Sequence, residues 1–196
     1  MTNFKVMKRI VHYLFISAVL AVSAQSCLKT TLEKKMTYKF FGPAEDSLIV
    51  TDTYVYSSNK GDDGKPLKLD IYYDPTFSDV QDKPVIFYNH GGGWNSYFDR
   101  TVCSQGWLRH FAHKGYICIS IDYREGLEYI AKGRYKPETY SLKECIQYAS
   151  RMALEDVFDA TTFFIGIADK YKADINHIII TGGSAGACNS LNAEYT

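Results

Sequence analysis

The sequence predicts an α/β fold with a mostly parallel sheet and an antiparallel hairpin on its N-terminal side. Three observations carry this. Two apolar runs, 85–88 and 116–121, flank a helical pattern and make a βαβ unit. Ahead of them, two alternating segments enclose a turn-rich stretch, as a hairpin does. Behind them, Ile178, Ile179 and Ile180 run into Gly182-Gly183-Ser184-Ala185-Gly186, the pattern of a buried strand that turns sharply into a helix.

The N-terminus is expected to be a leader, residues 1–24. Lys5, Lys8 and Arg9 form a positive start, residues 10–22 an apolar run interrupted by His12, and Val22-Ser23-Ala24 a small-residue cleavage site. The run is short for a bilayer span, so export is expected, to the periplasm or beyond. Lipoprotein processing at Cys27 is the alternative and the one route to membrane attachment. Residues 25–36 read as a polar linker, and 37–196 as the N-terminal part of one domain. At 196 residues, 46% of them hydrophobic, the chain suits a single core. Lys plus Arg equal Asp plus Glu at 22 each, and losing the three leader cations leaves the rest faintly acidic. Nothing in that balance calls for nucleic acid.

After a short strand at 37–41, residues 51–57 and 67–73 alternate, with Ser58 to Pro66 as the turn between them. Leu67, Leu69 and Ile71 on one face, with Lys68 and Asp70 on the other, predict a half-exposed edge. Asp74-Pro75 breaks that strand. The next, 85–88, is apolar throughout and so covered on both faces. A helix over 101–114 follows, stopped by Gly115. The strand 116–121 then ends in Asp122-Tyr123-Arg124. Residues 126–140 show no period. Ser141-Leu142-Lys143-Glu144 has the form of a capping box. From there apolar residues recur at three- and four-residue spacing to Tyr171, as one long helix or two joined near Ser150. Asp174 and Asn176 are expected to end it, and Asp156 to be a solvated or helix-facing carboxylate within it.

The cysteines are widely spaced. Cys118 suits burial mid-strand, and a Cys103–Cys145 bridge is left open. No His/Cys cluster has metal-ligand spacing, so neither a metal nor a cofactor is expected.

The chemistry converges on Ser184. Gly182 and Gly186 permit close strand–helix approach, and the turn exposes the hydroxyl at a helix N-terminus, which favours developing negative charge. Upstream, Gly91, Gly92 and Gly93 end a strand and leave backbone N–H groups to point into a cavity. Those of Gly92 and Gly93, with that of Ala185, make a three-donor oxyanion hole. A flexible loop and an ordinary glycine-rich turn are the plain alternatives. A nucleotide cradle lacks its lysine and its glycine spacing.

His90-Gly91-Gly92-Gly93-Trp94, Asp122-Tyr123-Arg124 and Gly182-Gly183-Ser184-Ala185-Gly186, each at a strand end, together resemble the α/β-hydrolase fold. Within it they are most similar to the carboxylesterase/lipase branch related to hormone-sensitive lipase. The resemblance covers residue 52 onward. It implies hydrolysis of small or carbohydrate-linked carboxylic esters through an acyl-enzyme on Ser184. It also implies a structural His90 that holds the glycine loop, and a Trp94 that lines the acyl or alcohol pocket or packs on the core. Asp122 and Arg124 would form a structural polar network.

The order of a triad on this fold is Ser, then acid, then His. The residues after Ser184 hold no His or Asp, and Glu194 is their sole acid. The expectation is therefore the nucleophile-bearing part of a longer esterase, its sheet incomplete at the C-terminal side and its last strand an exposed apolar edge. A catalytically inactive remnant or ligand-binding module is the alternative, and a serine peptidase of the same fold a third reading.

Overall fold

The computed structural model describes residues 48–61, 64–95, 99–101, 105–127 and 140–195. The leader, the linker, Cys27, Cys103 and the strand expected at 37–41 lie outside them. Five strands form one sheet: β1 (Val50–Lys60), β2 (Pro66–Tyr73), β3 (Lys83–Asn89), β4 (Ile117–Ile121) and β5 (Ala173–Gly182). The order is β1-β2-β4-β3-β5. β1 and β2 form the expected hairpin, β2 pairs antiparallel with β4, and β4, β3 and β5 run parallel. Helices α1 (Gln105–Ala112), α2 (Leu142–Ile165), α3 (Ala168–Tyr171) and α4 (Ala185–Tyr195) complete the described fold.

Each face of the sheet has its own core. On one, Leu69, Ile71, Phe87 and Ile119 meet α2, whose contact surface is Ala153, Val157, Ala160 and Phe164. The small residues let the helix lie close, and Phe164 meets Phe87 edge-on with ring centroids 5.6 Å apart. On the other, Leu108 and Ala112 of α1 pack on Tyr72, Ile86 and Cys118. Gly115, at φ 87°, ends the turn after α1 and feeds β4. All five residues of β4 are buried, which explains a run with no polar alternation. Cys145 is a buried free thiol, and Cys103, the other half of the bridge left open, lies outside the described residues.

Four expectations need correction. β2 is not a half-exposed edge: it lies between β1 and β4, and residues 69–72 are all buried. Asp70 is tolerated there because Arg100 pairs with it at 3.0 Å and Thr53 donates to it at 2.7 Å. Among the described residues β1 is the edge instead. The long helix stops at Gly166, and residues 168–171 form a separate turn of helix closed by Lys172 in the left-handed region. β5 starts at Ala173, ahead of Asp174 and Asn176, with extra residues bulged out between the Lys83 and Val85 pairings. Finally, β5 is parallel as expected, but it is not buried in the way its apolar run alone suggests. It is the exposed apolar edge expected of the last strand, the other edge among the described residues, with Ile179 at 52% exposure.

The capping box at the start of α2 is present with both its bonds: Ser141 Oγ accepts from Glu144 N, and Glu144 Oε2 accepts from Ser141 N at 2.7 Å. Ser141→Ala is expected to lower stability by about 1 kcal/mol, read as a reduced urea midpoint with unchanged slope.

Candidate active site

β5 rises beside β3 until Gly182 pairs with Asn89, and the chain then turns within two residues into α4. Ser184 sits at the tip with φ 51°. A serine in the left-handed region is strained, by about 1–3 kcal/mol, and survives only where its surroundings fix it. They do so closely. Gly183 N–H donates to Asn89 O, Gly186 N–H to Gly183 O at 2.8 Å, and Cys188 N–H to Ser184 O. A Cβ on Gly186 would lie 2.0 Å from Asn89 O, and one on Gly182 2.5 Å from the same atom. Both positions therefore require glycine, because the elbow is pressed against the end of β3.

The glycine loop leaves β3 at that same point. A Cβ on Gly91 would sit 3.5 Å from Ser184 Cβ and 3.1 Å from Gly183 O, so its backbone lies against the elbow. Gly92 (φ 123°), Gly93 (φ 64°) and Trp94 (φ 57°) then follow in the left-handed half of conformational space. Among the described residues no backbone acceptor takes the N–H of Gly92, Gly93 or Ala185. For Ala185 this follows from its place at the first position of α4, where N–H groups lack helical partners. Three backbone donors thus belong to a loop and a turn that touch at Ser184.

His90 lies beneath this loop, 1% exposed. Its Nδ1–H donates to Gly91 O at 2.6 Å, and its ring stacks on Tyr123 at 4.2 Å. Tyr123 in turn donates its hydroxyl to His90 O at 2.7 Å. Burial drives the His90 pKa down to about 4, only partly opposed by the bond to Gly91 O. An unfolded histidine titrates near 6.5, so the unfolded chain binds more protons between these values. The stability that neutral His90 confers is complete above pH 6.5 and is lost as pH falls through 4. The loss is about 3 kcal/mol. Urea midpoints across that window are expected to fall steeply in the unaltered chain, and His90→Asn to flatten the slope.

Trp94 is half-buried against the core, and its indole N–H donates to Asn189 Oδ1 at 3.0 Å. Asp122 accepts from Arg100 and from Lys68 N–H. Arg124 binds Asp156 through Nε and its backbone N–H. Asp156 is thus not a solvated carboxylate but fully buried, because a guanidinium from the end of β4 covers it. Arg100, Asn189 and Ser190 carried no sequence signal, since each takes its meaning from a partner far along the chain.

No described histidine reaches Ser184 as a base. His90 is buried with its ring stacked on Tyr123, and no hydrogen bond joins it to Ser184. His110 lies in the last turn of α1, and none joins it to Ser184 either. His113 pairs with Asp74 at 3.0 Å near the start of β4, at the opposite end of the sheet. His177 lies just before the continuous paired run of β5, which begins with Ile178 opposite Val85, and bonds Asp174. Ser184 is seven positions further on, roughly 20 Å along a strand. Among the described residues no cluster of three His, Cys, Asp or Glu is arranged for a metal, and no helix is long and apolar enough to cross a membrane.

A mostly parallel sheet with helices on both faces, a strained strand–turn–helix elbow and a glycine loop against it constitute the α/β-hydrolase fold. Proteins this chain is similar to include esterases. It is 26% identical over 136 residues to the probable carboxylic ester hydrolase LipM of Mycobacterium tuberculosis, across 69% of this chain and 27% of that protein. Native esterase 2 of the planctomycete Thermogutta terrifontis matches with TM-score 0.54 and 24% identity, over 76% of this chain and 44% of the esterase. The same enzyme phosphorylated by paraoxon matches with TM-score 0.53 and 23% identity, over 71% and 45%. The chain therefore spans about a quarter of the curated relative and under half of the solved esterase. No family model matches it.

Proposed function

We propose that these residues are the nucleophile-bearing part of a serine carboxylesterase. Ser184 Oγ attacks the ester carbonyl carbon, and the resulting oxyanion takes hydrogen bonds from the N–H groups of Gly92, Gly93 and Ala185. Collapse breaks the bond to the alcohol, which leaves with the proton removed from Ser184. Water then releases the acid from the acyl-enzyme. The general base and the carboxylate that orients it lie outside the described residues. The observation that carries this reading is the contact of the Gly91 backbone with the strained Ser184 turn, which brings hydroxyl and donors together.

The substrates are small or carbohydrate-linked carboxylic esters. Butyrate- and propionate-bound forms of the T. terrifontis enzyme support short acyl groups. The charged start, apolar run and small-residue site of residues 1–24 support export, with Cys27 as the point of lipidation if the product is a lipoprotein. The test is to mix the protein made from its native gene with p-nitrophenyl butyrate, quench in acid and measure intact mass. One added butyryl group, located on the Ser184 peptide, is expected. Ester turnover with the acyl group on another residue would contradict the assignment.

A further inference from the structure

We propose that Asn189 is a positioning residue that holds the glycine loop to the helix beginning at Ser184. Its effect on reactivity rests on the esterase reading above. Gly92 and Gly93 adopt positive φ at little steric cost, but Trp94, at φ 57°, does not. Something must hold it there. Its indole N–H can only donate, and Asn189 Oδ1 accepts it at 3.0 Å. Leu127 N–H donates to Trp94 O at 3.0 Å. The neighbouring residue of α4 grips the other end of the loop. Ser190 donates to Gly186 O, which leaves its oxygen to accept from Asn89 Nδ2 at 2.9 Å. One helix, starting at the elbow, thus clamps both flanks of the segment that carries the Gly92 and Gly93 donors.

Asn189 is a poor choice for stability alone. It is fully buried in the helix interior, and its Nδ2 has no partner among the described residues. A half-satisfied buried amide is unfavourable where leucine of similar bulk is not. Its useful contribution is the bond to Trp94.

This gives a test that separates positioning from simple packing. In the full chain, Asn189→Leu is expected to keep or raise the thermal midpoint. Amide exchange at Asn95, whose N–H donates to Gly92 O and so reports the loop turn, should speed up about tenfold, the equivalent of one hydrogen bond. Exchange in β3 and β4 should not change, and the indole N–H resonance of Trp94, told from that of Trp107 by Trp94→Phe, should move. Phosphorylation of Ser184 by paraoxon should slow by a similar factor. In a Trp94→Phe background Asn189→Leu should add nothing further.

Unchanged loop exchange, or a uniform rise in exchange across the core with a lowered midpoint, would overturn the inference. So would a loosened loop with an unaltered labelling rate. If the unaltered protein takes no label at all, the esterase reading fails, and loop exchange with the Trp94 resonance alone decides the role of Asn189.

Discussion

Gly186→Ala is expected to yield no folded protein. The added methyl carbon would stand 2.0 Å from Asn89 O and 2.4 Å from His90 O, both backbone atoms of β3 and its exit. Neither can yield without separating α4 from the sheet, since Asn89 O also receives Gly183 N–H and Ser190 holds the Asn89 side chain. The cost is expected to exceed about 4 kcal/mol, comparable with the whole stability of many domains. Soluble yield and circular dichroism read the outcome, and a variant that folds with a near-native thermal midpoint would contradict the geometry. Gly93→Ala is the informative contrast. Among the described residues nothing lies within 4 Å of its Cβ, so only the φ of 64° is unfavourable, at about 1 kcal/mol.

Ser184→Ala is expected to abolish ester hydrolysis by the native protein while leaving the fold intact. Alanine keeps the same backbone conformation and removes only the hydroxyl, so circular dichroism and the thermal midpoint should hardly move. The loss in kcat is expected to reach on the order of 10⁶-fold, the scale on which a hydrolase loses its nucleophile when the other groups cannot act without it. Substrate affinity should change little. Measurable turnover at a tenth of the original rate or more would mean that another group performs the chemistry.

The fold was legible wherever a single segment contains its own cause. The β-branched run into the Gly-x-Ser-x-Gly spacing, the apolar runs at the centre of β3 and along β4, and the Ser141–Glu144 box each determine local structure without distant help. The failures share a different cause. Ile167, Ala168 and Tyr171 keep helical spacing across Gly166, so the break there is invisible to periodicity. Asp70 reads as a solvent-facing alternation until Arg100 pairs with it, 30 residues on. Asp156 reads as a surface carboxylate because its cation, Arg124, belongs to the end of another strand. In the site, the serine and the glycines announced themselves through backbone chemistry, which demands particular residue types. The Asn89–Ser190 and Trp94–Asn189 contacts did not, since they join segments about 100 residues apart and any polar pair of suitable size satisfies them.

The most direct measurement is the mass of the native protein after brief exposure to paraoxon, followed by peptide mapping. An activated serine should gain one diethylphosphoryl group, on the peptide that contains Ser184, and Ser184→Ala should gain none. An unmodified protein, or a label that persists in Ser184→Ala, would contradict the claim that the elbow carries an active nucleophile.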